Sequence, residues 1–80
     1  MLSLIKFWPP FLWARAKIYA NIGTYDPLYY EKSITDYETL LKSDPNDFEP
    51  HLRISEIYLM MGRQEDALWP LNKAISLDPK

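Results

Sequence analysis

The sequence predicts an all-α fold of two antiparallel helical hairpins. Three observations carry that prediction. Proline and glycine divide the chain into four segments of helical length. Within the later segments apolar residues recur at spacings of three and four, the period of one helix face. Strand signals are absent, with no alternating β-branched run and no Asn-Gly turn.

The first helix is predicted to start near Pro10, because proline suits a first helical turn where its missing N–H leaves no bond unmade. It runs to about Ile22, and Gly23 takes the position after a helix end that glycine often fills. Asp26-Pro27 opens the second helix as cap and first residue. Tyr30, Ile34, Tyr37 and Leu41 form its inward stripe, Lys42 complements its C-terminal dipole, and Asp44-Pro45 ends it. Asp47 caps the third helix, which carries Pro50 in its first turn. Its stripe is His51, Ile54, Tyr58 and Met61, and Gly62 ends it. The fourth helix spans about Gln64 to Leu77 with Ala67, Leu71, Ala74 and Ile75 inward, closed by Asp78-Pro79.

The stretch 44–79 also follows a spacing code. His51 is followed three places on by Ile54 and Ser55, then by Tyr58. Gly62 stands between the helices. Ala67 is followed four places on by Leu71, then by Ala74 and Pro79. This pattern resembles the tetratricopeptide repeat, a 34-residue helix–turn–helix unit. Residues 10–45 resemble a degenerate copy. Aligning Gly23 with Gly62 sets Trp13 over Leu52, Ala16 over Ser55, Ile18 over Ile57 and Tyr19 over Tyr58. Two departures mark the copy: it is five residues longer, and Arg15 falls where Ile54 is inward. The hairpins are thus 10–43 and 48–78, after a basic, aromatic segment 1–9.

The resemblance implies a right-handed superhelical stack and a role in binding proteins. In such repeats Ile54, Ser55, Tyr58, Gly62, Ala67, Leu71, Ala74 and Pro79 are structural. The first helix of each hairpin lines a concave groove, which implies that Glu49, Leu52, Glu56, Leu59 and Met60 face it here. The degenerate copy adds Trp13, Lys17, Ala20 and Asn21. Leu59 and Met60 either line that groove or pack on the neighbouring hairpin; Met61 belongs to the core. Methionine suits adaptable binding surfaces because its side chain repacks. Some members of the family clamp a partner's terminal carboxylate with Lys, Arg and Asn. Lys17, Asn21 and Arg53 are available for this, but Glu56 would repel a carboxylate. A groove of mixed charge with an apolar floor suits a short amphipathic helix or an extended peptide.

Composition narrows the remaining classes. A chain of 80 residues makes one small domain. Its net charge of −2 argues against a general nucleic-acid binder. The absence of cysteine excludes disulfides, thiol nucleophiles and cysteine-ligated metals. His51, the only histidine, is a packing residue and not a metal ligand, since it has no companions for a site. Glu65 and Asp66 complement a helix dipole. The cluster of Tyr25, Tyr29, Tyr30 and Tyr37 is assigned to packing, because its acidic neighbours repel phosphate. With no phosphate loop, nucleophile elbow or His-Glu metal motif, the sequence predicts neither an enzyme nor a cofactor. Pro70 lies inside the fourth helix, where proline costs about 3 kcal/mol. It marks either a tolerated bend or one that carries Trp69 into a contact.

Charge is uneven along the chain. Residues 1–25 carry +3 and no acid, while residues 26–80 carry −5. Eight of the twelve aromatics lie in residues 1–30, so the N-terminal third is a distinct basic, aromatic material. It is too interrupted to span a bilayer of about 30 Å. The alternative function is therefore a peripheral membrane-associated assembly subunit held by this segment. The cytoplasm is the default location. Repeat arrays reach stability with about three units, so the last hairpin is expected to self-associate or dock on a larger partner, unless residues 1–9 fold back over it.

Overall fold

The computed structural model describes residues 8–78, with side chains from residue 11 onward. Four helices follow one another: α1 Trp8–Gly23, α2 Leu28–Ser43, α3 Phe48–Met60 and α4 Gln64–Leu77. No strand occurs among the described residues. α1 packs on α2, α4 packs on α3, and an α2–α3 contact joins the two hairpins. The predicted all-α hairpin stack is the observed architecture. α1 starts two residues before Pro10, so Pro9 and Pro10 both fall in a first turn, where no intrahelical donor is needed. The predicted segment 1–9 therefore yields its last two residues to α1; residues 1–7, and Pro79, lie outside the described residues.

One apolar core runs through both hairpins. Leu12 and Ala16 of α1 meet Tyr30, Ile34, Tyr37 and Leu40 of α2, and Ile54 and Ile57 of α3 complete it. Small residues set the distance between helices. Ser33 and Ala16 are both fully buried where α2 crosses α1, and the Ser33 hydroxyl donates to the Ala16 carbonyl at 2.7 Å. Any larger side chain at either position would push the helices apart. In the second hairpin Ser55, Ala67 and Ala74 take the buried small positions.

Helix ends follow their caps. The Asp47 carboxylate accepts from the Glu49 N–H at 3.1 Å and starts α3. The Asp26 carboxylate accepts from the Leu28 N–H. At the end of α3, Gly62 adopts φ +77°. The Arg63 N–H then reaches back to the Tyr58 carbonyl at 2.8 Å, and the Gly62 N–H to that of Leu59 at 3.0 Å. This pair of bonds is the Schellman termination, which needs a residue in the left-handed region.

Several expectations are corrected. Gly23 is not a left-handed terminator: it is the last residue of α1, and Gly62 has the only positive φ among the described residues. Gly23 is required for close approach, since a Cβ there would lie 2.5 Å from the Tyr30 ring. Ile75 was expected inward and is 64% exposed. Ala67, Pro70 and Ala74 form the buried stripe of α4, and at 100° per residue Ile75 lies about 105° from its centre. Leu71 is half-buried at the stripe's edge. Ile18 is exposed although Ile57 is buried, because α1 is an outer helix and α3 has α2 and α4 beside it. Tyr30 and Tyr37 are buried as expected, but Tyr25 stands almost fully in solvent.

Arg15, which falls where Ile54 is inward in the second hairpin, is accommodated by an ion pair. Its guanidinium binds both oxygens of the buried Asp36 at 2.8 Å and lies against the rings of Phe11 and Tyr19. The bidentate pairing raises the Arg15 pKa above its ordinary value.

Candidate functional site

A cleft of about 450 Å³ opens between α1 and α3. Lys17, Ala20 and Asn21 form the α1 wall; Arg53, Glu56 and Met60 form the α3 wall; Tyr37 and Ile57 form the floor. The walls follow from helical spacing. Lys17, Ala20 and Asn21 lie three and four apart on α1, and Arg53, Glu56 and Met60 do the same on α3. The floor is the edge of the shared core, where α1 and α3 do not touch closely enough to cover it.

The cleft is electrically balanced. Arg53 pairs with Glu49 and, at 3.0 Å, with Glu56. The Glu56 hydrogen bond is the leading cause that raises the Arg53 pKa, with Glu49 adding to it and burial opposing. Lys17, Arg53 and Glu56 line the cleft, and Glu49 on Arg53 just outside it completes two charges of each sign. Arg53 is the one described residue with a buried side-chain polar atom, Nε, that lacks a hydrogen-bond partner. Tyr37 supplies the polar edge of the floor. Burial pushes its phenol above the ordinary value of 10.0, and Arg53 partly opposes that. The floor therefore stays neutral at a pH where exposed tyrosines ionise.

The sequence-based groove residues divide into two groups. Lys17, Ala20, Asn21, Glu56 and Met60 come together in the cleft. Trp13, Glu49, Leu52 and Leu59 do not line it. Trp13 turns edge-on against Tyr37, with centroids 5.7 Å apart, and packs on the core. Glu49 is drawn onto Arg53. Leu52 is half-buried. Leu59 is 50% exposed, about 100° round α3 from Met60. Tyr37 and Ile57 were missed as site residues because their helical phase is that of core positions. Both are buried, and they border the cleft only where α1 and α3 stand apart.

His51 is buried, with Nε2 3.3 Å from the Pro45 carbonyl and its ring edge-on to Trp69. Among the described residues no three His, Asp or Glu side chains gather as a metal site. The cleft offers one primary amine, one amide, a guanidinium salt-bridged to one lining carboxylate, and a phenol over apolar carbon. That set is able to hold a polar chain by hydrogen bonds and apolar contact. The chain matches no protein-family model, no curated protein and no solved structure.

Proposed function

We propose that this chain is a tetratricopeptide-type adaptor that holds a short peptide or helix of another protein in the α1–α3 cleft, and that it catalyses nothing. The observation that carries the reading is the cleft itself: two helices from successive hairpins present spaced polar side chains over an apolar floor. Met60 is 51% exposed at the rim, where it can adapt to an apolar side chain. The balanced charge favours a partner segment that is itself mixed, and disfavours a bare terminal carboxylate. Arg53 is already held by two acids, so a carboxylate clamp would rest on Lys17 and Asn21 alone.

The cleft makes a specific demand on variants. Met60→Glu adds an uncompensated acid at the cleft wall and should weaken partner binding at least about tenfold, or about 1.4 kcal/mol, at unchanged helicity. Leu59→Glu, one residue away and outside the cleft, should bind nearly as the parent does. Titration of the captured partner, with circular dichroism as the control for folding, checks both. Equal losses from the two variants would remove the assignment of the cleft.

A peripheral membrane role has one structural support. Phe11, Ile18 and Ile22 are exposed on α1, a helix whose only charged residues are Arg15 and Lys17. No helix of the described residues is long and apolar enough to cross a membrane. Flotation with vesicles containing anionic lipid separates the two roles. The adaptor reading predicts that the full chain stays at the bottom of the gradient. Co-flotation that is lost on deleting residues 1–7 would favour the membrane reading.

A further inference from the structure

The two hairpins carry notches at matching positions, and the two have opposite chemistry. The first is lined by Arg15 and Tyr19 of α1 with Lys32, Thr35 and Asp36 of α2. Adding 39 to the α1 numbers and 34 to the α2 numbers gives Ile54, Tyr58, Asp66, Trp69 and Pro70. All five line the second notch, a hollow of about 260 Å³. The first notch holds its own cation: Arg15 lies against the Tyr19 ring at 5.5 Å and pairs with Asp36. In the second, Ile54 and Pro70 replace that ion pair. Trp69 replaces Thr35, and an acid, Asp66, replaces a base, Lys32. The tyrosine is kept.

The second notch therefore has the walls of a cation site without a cation in its lining. Trp69 and His51 meet edge-on at 5.8 Å between centroids, and Tyr58 lies in the same wall. Glu38 and Asp66 stand at its edge. Glu38 has no ion-pair partner among the described residues. Arg63 lies outside the lining, 4.9 Å from the Tyr58 ring centroid, bonded to Asp66 and 3.8 Å from Glu31. Arg63 answers Asp66, which leaves Glu38 as the acid of the lining without an ion pair among the described residues. Pro70 contributes its buried apolar ring to the hollow from the interior of α4. Trp69 is 67% exposed, so the hollow is open to a ligand.

We propose that the notch formed by His51, Tyr58 and Trp69 is a binding site for an alkylammonium group, presented as a lysine side chain, free or methylated, of a partner protein. Aromatic faces attract such a group through their quadrupole, and methylation adds apolar contact. The site is on the other side of α3 from the cleft: the centre of His51, Ile54 and Tyr58 lies about 160° round the helix from that of Arg53, Glu56 and Met60. It stands independently of the adaptor reading.

The test uses the full chain and three soluble probes: N-acetyl-trimethyllysine amide, its neutral analogue with carbon in place of nitrogen, and phosphocholine. The Trp69 indole N–H signal is followed by NMR. The proposal expects saturable binding of the trimethyllysine probe and no measurable binding of the neutral analogue. Phosphocholine should bind more weakly, because Glu38 and Asp66 repel its phosphate. Trp69→Ala should weaken the lysine probe at least about tenfold, Trp69→Phe should retain most of it, and Glu38→Gln should cost about twofold to fivefold. Trp69 is largely exposed, so these variants are expected to fold; the Glu38→Gln result stands if one does not. Equal binding of charged and neutral probes, or no saturable shift at all, would overturn the assignment. Tighter binding of phosphocholine would overturn the lysine source.

Discussion

Replacing Tyr37 with alanine should destabilise the fold by about 3–5 kcal/mol, the cost of emptying a large buried aromatic site. Tyr37 is 2% exposed, packs in the core common to α1, α2 and α3, and supports Trp13 edge-on. A domain of this size has little stability in reserve, so the variant is expected to be largely unfolded at room temperature. Tyr37→Phe should lose far less, because the ring remains and no hydrogen bond of its hydroxyl supports the core. Urea unfolding followed by circular dichroism measures both. A loss below about 1.5 kcal/mol for the alanine variant would mean that the two hairpins hold together without a common core.

The two glycines should fail in opposite ways. Gly23→Ala places a Cβ 2.5 Å and 2.7 Å from two carbons of the buried Tyr30 ring. Overpacking of this kind costs about 1–3 kcal/mol, and the better helix propensity of alanine returns less than about 1 kcal/mol. At Gly62 nothing lies within 4 Å of an added Cβ, but φ is +77°. Gly62→Ala should therefore cost about 1–2 kcal/mol through the backbone alone. Asparagine, which tolerates the left-handed region, should be better than alanine at position 62 and worse at position 23. Thermal melts of the four variants check this order. A melting temperature raised by Gly23→Ala would mean that helix propensity outweighs the Tyr30 contact.

The helices were legible in the sequence because their signals are local. Asp47 caps α3 and Gly62 ends it in the predicted geometry, since both acts involve only the neighbouring backbone. Phase was less legible. Ile75 was placed inward because it fits an apolar stripe, but Pro70 holds that face and turns Ile75 outward. Gly23 could not be read correctly from its position, because its reason for being glycine is a ring on another helix. The Arg15–Asp36 pair was hidden for the same cause: the partners are 21 residues apart. The cleft walls were partly legible, as helix faces at positions 17, 20, 21, 56 and 60. Its floor was not, because Tyr37 and Ile57 are buried core residues that border the cleft only through the spacing of α1 and α3.

A peptide is expected to bind over that floor. Peptides selected against the full chain from a display library of short extended and helical segments can be titrated into labelled protein and mapped by NMR. The shifted amides should cluster on Lys17, Ala20 and Asn21 of α1 and on Arg53, Glu56 and Met60 of α3, with Tyr37 and Ile57 beneath. Shifts confined to the outer face of α4, around the exposed Leu68 and Ile75, would contradict it.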